Sequence, residues 1–512
     1  MTYPTPSPIN PDADSLNWWI IRLTNELLTR TPYMNYRGRY VEGYQDLPRG
    51  DKRWMKALRH LQVLAQTNYL GLITSAPAER MRVRGFRFGE QGEADSDANE
   101  IWEQNNMELQ SQEIHDTAAK YGLAYALVSP PYKEDEKWPC ITVEDPRTAI
   151  IYRDPARPTE TLAGFRMWED DISGYIMAVL YLPEGNYILQ GPQAFDDYGM
   201  STEDIRDKLI RNFGSSGATH AFEILEFQPN PPECQQVMLV EYVWRPNSGP
   251  IPECEADHGL RVMQDRLNQQ VFDLLTSSHF QAFKQRWAKG ISIPESKDGT
   301  KKAPFDPGAD MLWISENPDA EFGEFTSADL RQVLEAIRDT IADMAATSKT
   351  PAHYLMGKMA NISGETLTQA ESGLVSKTEH RMNSMGWSHE RVMKLCFALA
   401  GDAEKAKDVT AETLWAVPEK QITAELALAG QQWAAIGIPL EVIMERQGFT
   451  PDAIAYSVQK KEEADQQQLA LQQQQMDQQH AQNMEMAKAT GKTQQSSTKP
   501  GAPSSGPSKK PS

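Results

Sequence analysis

The chain has 512 residues, 71 acidic against 51 basic, and a formal net charge of −20. That length exceeds a single hydrophobic core and implies two to four structural units. The acidic balance excludes a sequence-specific nucleic-acid binder, whose affinity comes mainly from Lys and Arg neutralising phosphates, and no stretch approaches the roughly 18 apolar residues of a membrane span.

Residues 1–15 read as a flexible N-terminus; Met1 to Pro11 has neither the basic start nor the apolar core of a signal peptide. Leu16, Trp19, Ile20, Leu23, Leu27 and Leu28 recur at helical spacing, and Thr31-Pro32 is expected to break that helix. Trp54 to Ile73 reads as a second helix, ending near Ser75-Ala76-Pro77. In Met81 to Phe88 apolar and basic residues alternate, and Gly85 shifts the phase by one, as a β-bulge would. Those arginines read first as the solvated face of a strand, ahead of a phosphate site. Ile101 to Tyr121 reads as one helix. From Gly122 to about Val243, β-branched and aromatic runs punctuated by Gly, Pro and Asp predict a mostly β region. Its candidate strands are 125–128, 141–143, 149–152, 164–168, 175–181, 187–189 and 237–244.

Helices then take over. Leu260, Met263, Leu267, Val271, Leu274, Leu275, Phe283 and Trp287 form one stripe, predicting about 28 helical residues, roughly 42 Å at 1.5 Å each. Residues 290–325 form a Gly/Pro-punctuated insert with strand-like pieces at 291–293 and 311–314. Leu330, Val333, Leu334, Ile337, Ile341 and Met344 mark a second helix. Thr326 or Ser327 is its expected cap, Asp329 sits at its positive end, and Lys349-Thr350-Pro351 ends it. An irregular loop is expected over Ala352–Ile362, then a long helix over Glu365–Ala400 with bends at Gly373 and Gly386. Two or three further helices run to about Glu463, separated by Pro418, Pro439 and the Gly448–Pro451 turn. Residues 464–512, rich in Gln, Ser and Pro, read as a largely disordered tail, with its Gln-rich run alternatively a frayed continuation of the preceding helix.

The usual signatures of chemistry are missing. There is no phosphate-cradling P-loop, no G-x-S-x-G elbow and no dinucleotide turn. Cys140, Cys234, Cys254 and Cys396 lie far apart and read as free thiols. His389-Glu390 lacks the second histidine of a zinc helix and reads as a polar helix face; His60, His115, His220, His258 and His353 do not cluster in sequence. Carboxylate runs such as Glu169-Asp170-Asp171 are expected by chance in an acidic chain. The expectation is no catalytic, cofactor or metal site.

The informative feature is the order helix, compact insert, helix, loop, long helix. Two readings stand at this point: an ordinary hairpin within one domain, or a slender stalk packed against copies of itself around a hole.

Several segments resemble the portal proteins of tailed bacteriophages, of the siphophage type found in phages of Gram-positive bacteria. Tyr36 to Leu47 (YRGRYVEGYQDL) resembles the family's entry segment, and Asn68 with Glu79-Arg80 to Gly85-Phe86 its "N … ER-x-x-V-x-G-F". Asp329-Leu330, Ile341-Ala342 and Thr350-Pro351 to Leu355 resemble its helix-to-loop passage, Ile362 to Glu365 its "I-S-x-E", and Gly437-Ile438-Pro439 with Gly448 to Pro451 its C-terminal pattern. The likeness spans roughly residues 16 to 463. It departs at Thr350-Pro351-Ala352, where relatives often carry a second proline.

The resemblance implies a helix-rich α+β portal fold with wing, stem, clip and crown. It assigns 16–257 to the wing, 258–289 and 326–347 to the stem, 290–325 to the clip, 348–362 to a tunnel loop, 363–400 to a long wing helix and 401–463 to the crown. It implies a homo-oligomeric ring, commonly of twelve, at one capsid vertex of the virion, assembled in the host cytoplasm. Double-stranded DNA passes through it without sequence specificity. Its partners would be the terminase large subunit, a head-completion or adaptor protein, and the major capsid and scaffold proteins; no membrane is involved. Lys349, His353 and Lys358 are candidates to lie near DNA, or else solvated loop residues. Lys297, Lys301, Lys302, Asp306 and Asp310 are candidates for clip docking. Leu267, Val271, Leu274, Leu330, Val333, Leu334, Ile337 and Ile341 are candidates for stem packing. The alternatives are another structural head protein, such as a minor capsid or adaptor protein, a phage DNA-processing enzyme, or a monomeric interaction protein.

Overall fold

The computed structural model describes residues 14–50, 55–89, 94–133, 136–193, 222–247, 249, 251–282, 286–290, 317–324, 329–357, 364–419, 423–449 and 451–494. Lys297, Lys301, Lys302, Asp306, Asp310 and Lys358 lie outside them, as do Thr326, Ser327 and the strand-like pieces at 291–293 and 311–314. Helix and sheet are mixed, and the chain divides into two units, Met1–Gln421 and Ile422–Ser512.

In the first unit, α1 (Asp14–Glu42) runs on through Pro32, where a break was expected. Proline removes one helical hydrogen bond. The residues on both sides, Ile20, Leu23 and Leu27 before it and Met34 and Tyr40 after it, are buried, and that packing outweighs the loss. The single helix expected over 54–73 is two, α2 (Met55–Leu64) and α3 (Tyr69–Ala78). Asn68 caps α3 by accepting the Gly71 N–H (3.1 Å), and the Thr67 N–H donates to Asn268 Oδ1 (3.0 Å), which together turn the chain out of its helical path. β1 (Val83–Arg87) carries the bulge anticipated at Gly85.

The helix expected over 101–121 is also split, into α4 (Ser96–Gln104) and α5 (Met107–Tyr121). Asn106 takes the left-handed conformation (φ 49°) that asparagine tolerates. Its neighbour Asn105 donates to the Pro139 carbonyl and accepts the Ile141 N–H.

The β region follows the sequence closely. β2 (Leu123–Ser129) and β3 (Cys140–Glu144) precede an antiparallel meander of β4 (Ala149–Arg153), β5 (Thr161–Glu169), β6 (Tyr175–Leu182), β7 (Gly185–Gln193) and β8 (Glu223–Pro229). β9 (Leu239–Val243) then joins β2 and β3 in the order β3-β2-β9. β8 went unread because it is exposed along its whole length and shows no apolar-polar alternation.

α6 (His258–Ala282) is 25 residues long, shorter than expected. Trp287 is not on it but on β10 (Arg286–Lys289), antiparallel to β11 (Glu321–Glu324) and directly across from Gly323, where a side chain would collide with the indole. α7 (Arg331–Ser348) starts later than the predicted caps; Leu330 is its N-cap without a side-chain bond, and Asp329 Oδ1 accepts the Arg331 N–H (3.0 Å). The loop expected after it contains one helical turn, α8 (Ala352–Met356), started by Pro351. α9 (Gly364–Ala400) is continuous through Gly373 and Gly386. After α10 (Ala403–Ala406), where only helices were expected, β12 (Glu412–Trp415) pairs with β1.

The largest core gathers β2, β9, α5 and α9 around Tyr125, Tyr242, Trp244 and Phe397. A second seals the N-terminal half of α1 on the meander, and a third joins α1, α3, α6, α7 and α8.

The second unit contains α11 (Thr423–Ala435), α12 (Leu440–Arg446) and α13 (Pro451–Gln494), with Pro439 and Gly448 at the turns between them. The reading of 464–512 as largely disordered is corrected for residues 464–494, which are helical. Gln, Ala, Leu, Met, Glu and Lys are all good helix formers, and that local preference suffices where burial is absent.

Candidate functional site

The site is built on the α6–α7 hairpin, whose two helices are tied by side chains. Thr340 Oγ1 donates to Gln270 Oε1 (2.9 Å), and Arg266 pairs with Asp343 (3.2 Å). At its base the hairpin is sealed: Leu260, Leu267, Ile341 and Met344 are buried with Tyr40 and Leu70. Two amides on α6, Gln264 and Asn268, are buried there; Gln264 Nε2 donates to Thr67 Oγ1 (2.8 Å) and Asn268 Nδ2 to Gln45 Oε1 (3.1 Å). Midway, Phe272 closes against Leu58, Leu61 and Ala65 of the α2 segment.

Towards the strand-paired end the burial runs out. Among the predicted stem residues Leu267 and Ile341 are buried, while Val271, Leu274, Leu330, Val333 and Ile337 are only half-buried. Leu334 is 40% exposed although it lies on the same helix face as Ile341. The end itself is held by the β10–β11 ladder, a Lys289–Glu321 ion pair (3.3 Å) and a hydrogen bond from Asn317 Nδ2 to the Gly290 carbonyl (2.6 Å).

The other end of α7 is anchored by buried charge. Lys377 Nζ, on α9, donates to the Ser348 carbonyl (2.8 Å) and to Glu255 Oε1 (2.8 Å). Glu255 Oε2 also accepts the Trp244 indole N–H (2.8 Å), and Arg381 stands 3.4 Å away. Burial pushes the Glu255 carboxyl up, but the Lys377 and Arg381 charges and the hydrogen bonds outweigh it and hold the pKa below its ordinary value. Lys377 thus ties off the last turn of α7, and Lys349 follows in the left-handed conformation (φ 53°) with its side chain exposed.

A second clasp holds α8. Arg80, just beyond α3, donates to the Tyr354 hydroxyl (2.7 Å) and the Pro418 carbonyl (3.1 Å) and pairs with Glu371 (2.9 Å). His353 Nε2 lies 3.8 Å from the same carboxylate. The side chains of Arg80, His353 and Glu371 are at most 10% exposed, so of the two described candidates for DNA proximity Lys349 faces solvent and His353 faces the protein.

Sequence reasoning missed one buried polar chain. His389 is not on a polar helix face: it is fully buried, its Nδ1 3.0 Å from the Tyr242 hydroxyl and its Nε2 3.0 Å from His115 Nε2. The apolar stripe Met385, Val392, Met393 and Cys396 around it was the available signal. The four cysteines are free thiols. Among the described residues no group of three His, Cys, Asp or Glu side chains could hold a metal ion, and no helix is long and apolar enough to cross a membrane.

Comparison with known proteins adds an independent line. The family model described as "Phage portal protein, SPP1 Gp6-like" matches residues 23–480. The chain is 25% identical over 416 residues to a protein named "Portal protein" from Mycobacterium phage D29, covering 78% of each chain. It is 24% identical over 412 residues to the "Portal protein" of Mycobacterium phage L5, again covering 78% of each.

Proposed function

The chain belongs to the SPP1 Gp6-like family of phage portal proteins, structural components of the virion, and from that premise we propose that its copies close into a ring, commonly of twelve, through which double-stranded DNA is packaged and ejected. In this reading 16–257 is the wing, 258–289 and 326–347 the stem, 290–325 the clip, 348–362 the tunnel loop, 363–400 the wing helix returning from it and 401–463 the crown. The clip docks the terminase motor and later the head-completion protein, while the wing meets capsid and scaffold.

The observation that carries the proposal is the burial gradient of the hairpin. A hairpin serving one domain is covered by its own chain along its length; this one is sealed at the base and leaves Leu334 40% exposed towards the strand-paired end. Copies arranged around an axis would cover it. The net charge of −20 suits a conduit. Duplex must slide, and many basic contacts repeated around a ring would release counterions and hold it fast. Lys349, exposed at the end of α7, would guide the duplex. Electron microscopy of the purified protein tests this: rings with a central opening wide enough for duplex are expected, and compact single copies under all conditions would overturn it.

A further inference from the structure

A second exposed apolar surface lies beside the hairpin. The loop after α1 runs along the α2 segment, held by Gln62 Nε2 to the Pro48 carbonyl (2.6 Å) and Gln66 Nε2 to the Gln45 carbonyl (2.6 Å). Along this seam Tyr44, Leu47, Val63 and Leu64 are 69, 38, 54 and 67% exposed. Scattered apolar side chains are normal on a surface; a group of large ones on adjoining segments marks a protein contact.

α6 separates this patch from α7. Asn268 and Phe272 face the α2 side, and Arg266 and Gln270 face α7. Arg266 and Asn268, like Gln270 and Phe272, are two positions apart, about 200° around a helix, so the flanks of α6 carry two different surfaces. The α2 flank adds exposed Lys56 and Arg59; the α7 flank adds exposed Leu334, Glu335 and Asp339. None of those four charged groups forms an ion pair among the described residues. Arg331 is taken up by Asp329 (3.2 Å), so Arg338 alone offsets the acids and leaves that flank net negative. The flanks come within about one helical turn in height at Arg59 and Glu335. The His60 ring lies 6.2 Å from that of His279, and continuing the Arg266–Asp343 and Gln270–Thr340 pairings sets Glu335 opposite Leu275, about 6 Å along α6 from His279.

Resting on the ring reading, we propose that these surfaces meet between neighbouring copies: the Tyr44–Leu64 patch of one subunit receives the α7 flank of the next, with Lys56 and Arg59 facing Glu335 and Asp339. A head-to-tail contact needs two different complementary surfaces on one chain and closes when its rotation closes. Rotation about an axis along the hairpin joins surfaces at equal height. Opposite charges select this register, and like charges penalise slipped ones.

The test combines two full-length variants, Arg59→Cys and Glu335→Cys, co-expressed, oxidised and run on a non-reducing gel, with ring yield counted by electron microscopy. A cross-linked dimer requiring both variants is expected. Arg59→Glu should lower ring yield tenfold or more, and adding Glu335→Arg to the same chain should restore it. Rings that form without the dimer band, or that tolerate Arg59→Glu, would overturn this interface and leave the ring standing. An unsubstituted protein that never forms rings would overturn both.

Discussion

At the scale of single residues, the buried polar groups decide more than the exposed charges. Burial pulls both His115, down to about 3, and His389 below the ordinary histidine value. A group whose folded pKa lies below its unfolded one contributes stability that is complete above about pH 6.5 and fades as pH falls towards the folded value. Urea midpoints should therefore drop between pH 7 and pH 5. His389→Leu should cost about 2 kcal/mol at pH 7 by stranding the Tyr242 hydroxyl and His115, and should lose less of its remaining stability on acidification. Lys377→Met, which leaves Glu255 short of its closest countercharge and the Ser348 carbonyl unbonded, should lower stability by about 3–5 kcal/mol in the same measurement. Neither site was legible in the sequence as polar chemistry. A lone buried histidine or lysine looks like a surface residue until the fold brings its partner, here 274 positions away for His115 and 122 for Lys377.

At the scale of elements, periodicity located most of the helices and strands but not their ends. Breaks appeared where asparagines had partners on distant segments, Asn68 with the Val41 carbonyl and Asn105 with the Pro139 carbonyl, and failed to appear at Pro32, where both flanks were packed. Those outcomes depend on contacts with distant segments, which no local window contains. β12 was missed for the same reason: four residues read as a strand only beside β1. The α5–β2 reversal gives an element-level test. Gly122 holds φ +93°, and a Cβ there would stand 2.6 Å from the Pro252 carbonyl. Gly122→Ala should cost more than the ~1–2 kcal/mol of a left-handed residue alone, read as a lowered urea midpoint, whereas Gly401→Ala, with open space around it, should cost only that backbone share.

At the scale of the whole molecule, the resemblance was legible across most of the chain because portal motifs keep their order, and the family match over residues 23–480 bears it out. The hairpin was legible too, since its stripe is long. What the sequence did not show is where along it the burial ends, which depends on α2 reaching only as far as the middle of α6. In the proposed assembly, Lys301→Glu with Lys302→Glu should weaken capture of the terminase motor, with a loss that shrinks as salt rises because exposed charges are screened; unchanged capture in pull-downs across salt concentrations would remove that docking role.

The 44 residues of α13 make a rod of about 66 Å, and from Ala464 to Met484 every side chain is exposed. No described residue of its own unit locks that stretch, so its order rests on backbone preference, which weakens smoothly with temperature. Far-ultraviolet circular dichroism should therefore show a sloping loss of helicity from low temperature onwards, while the near-ultraviolet signal of the packed aromatics stays flat until the cores melt together.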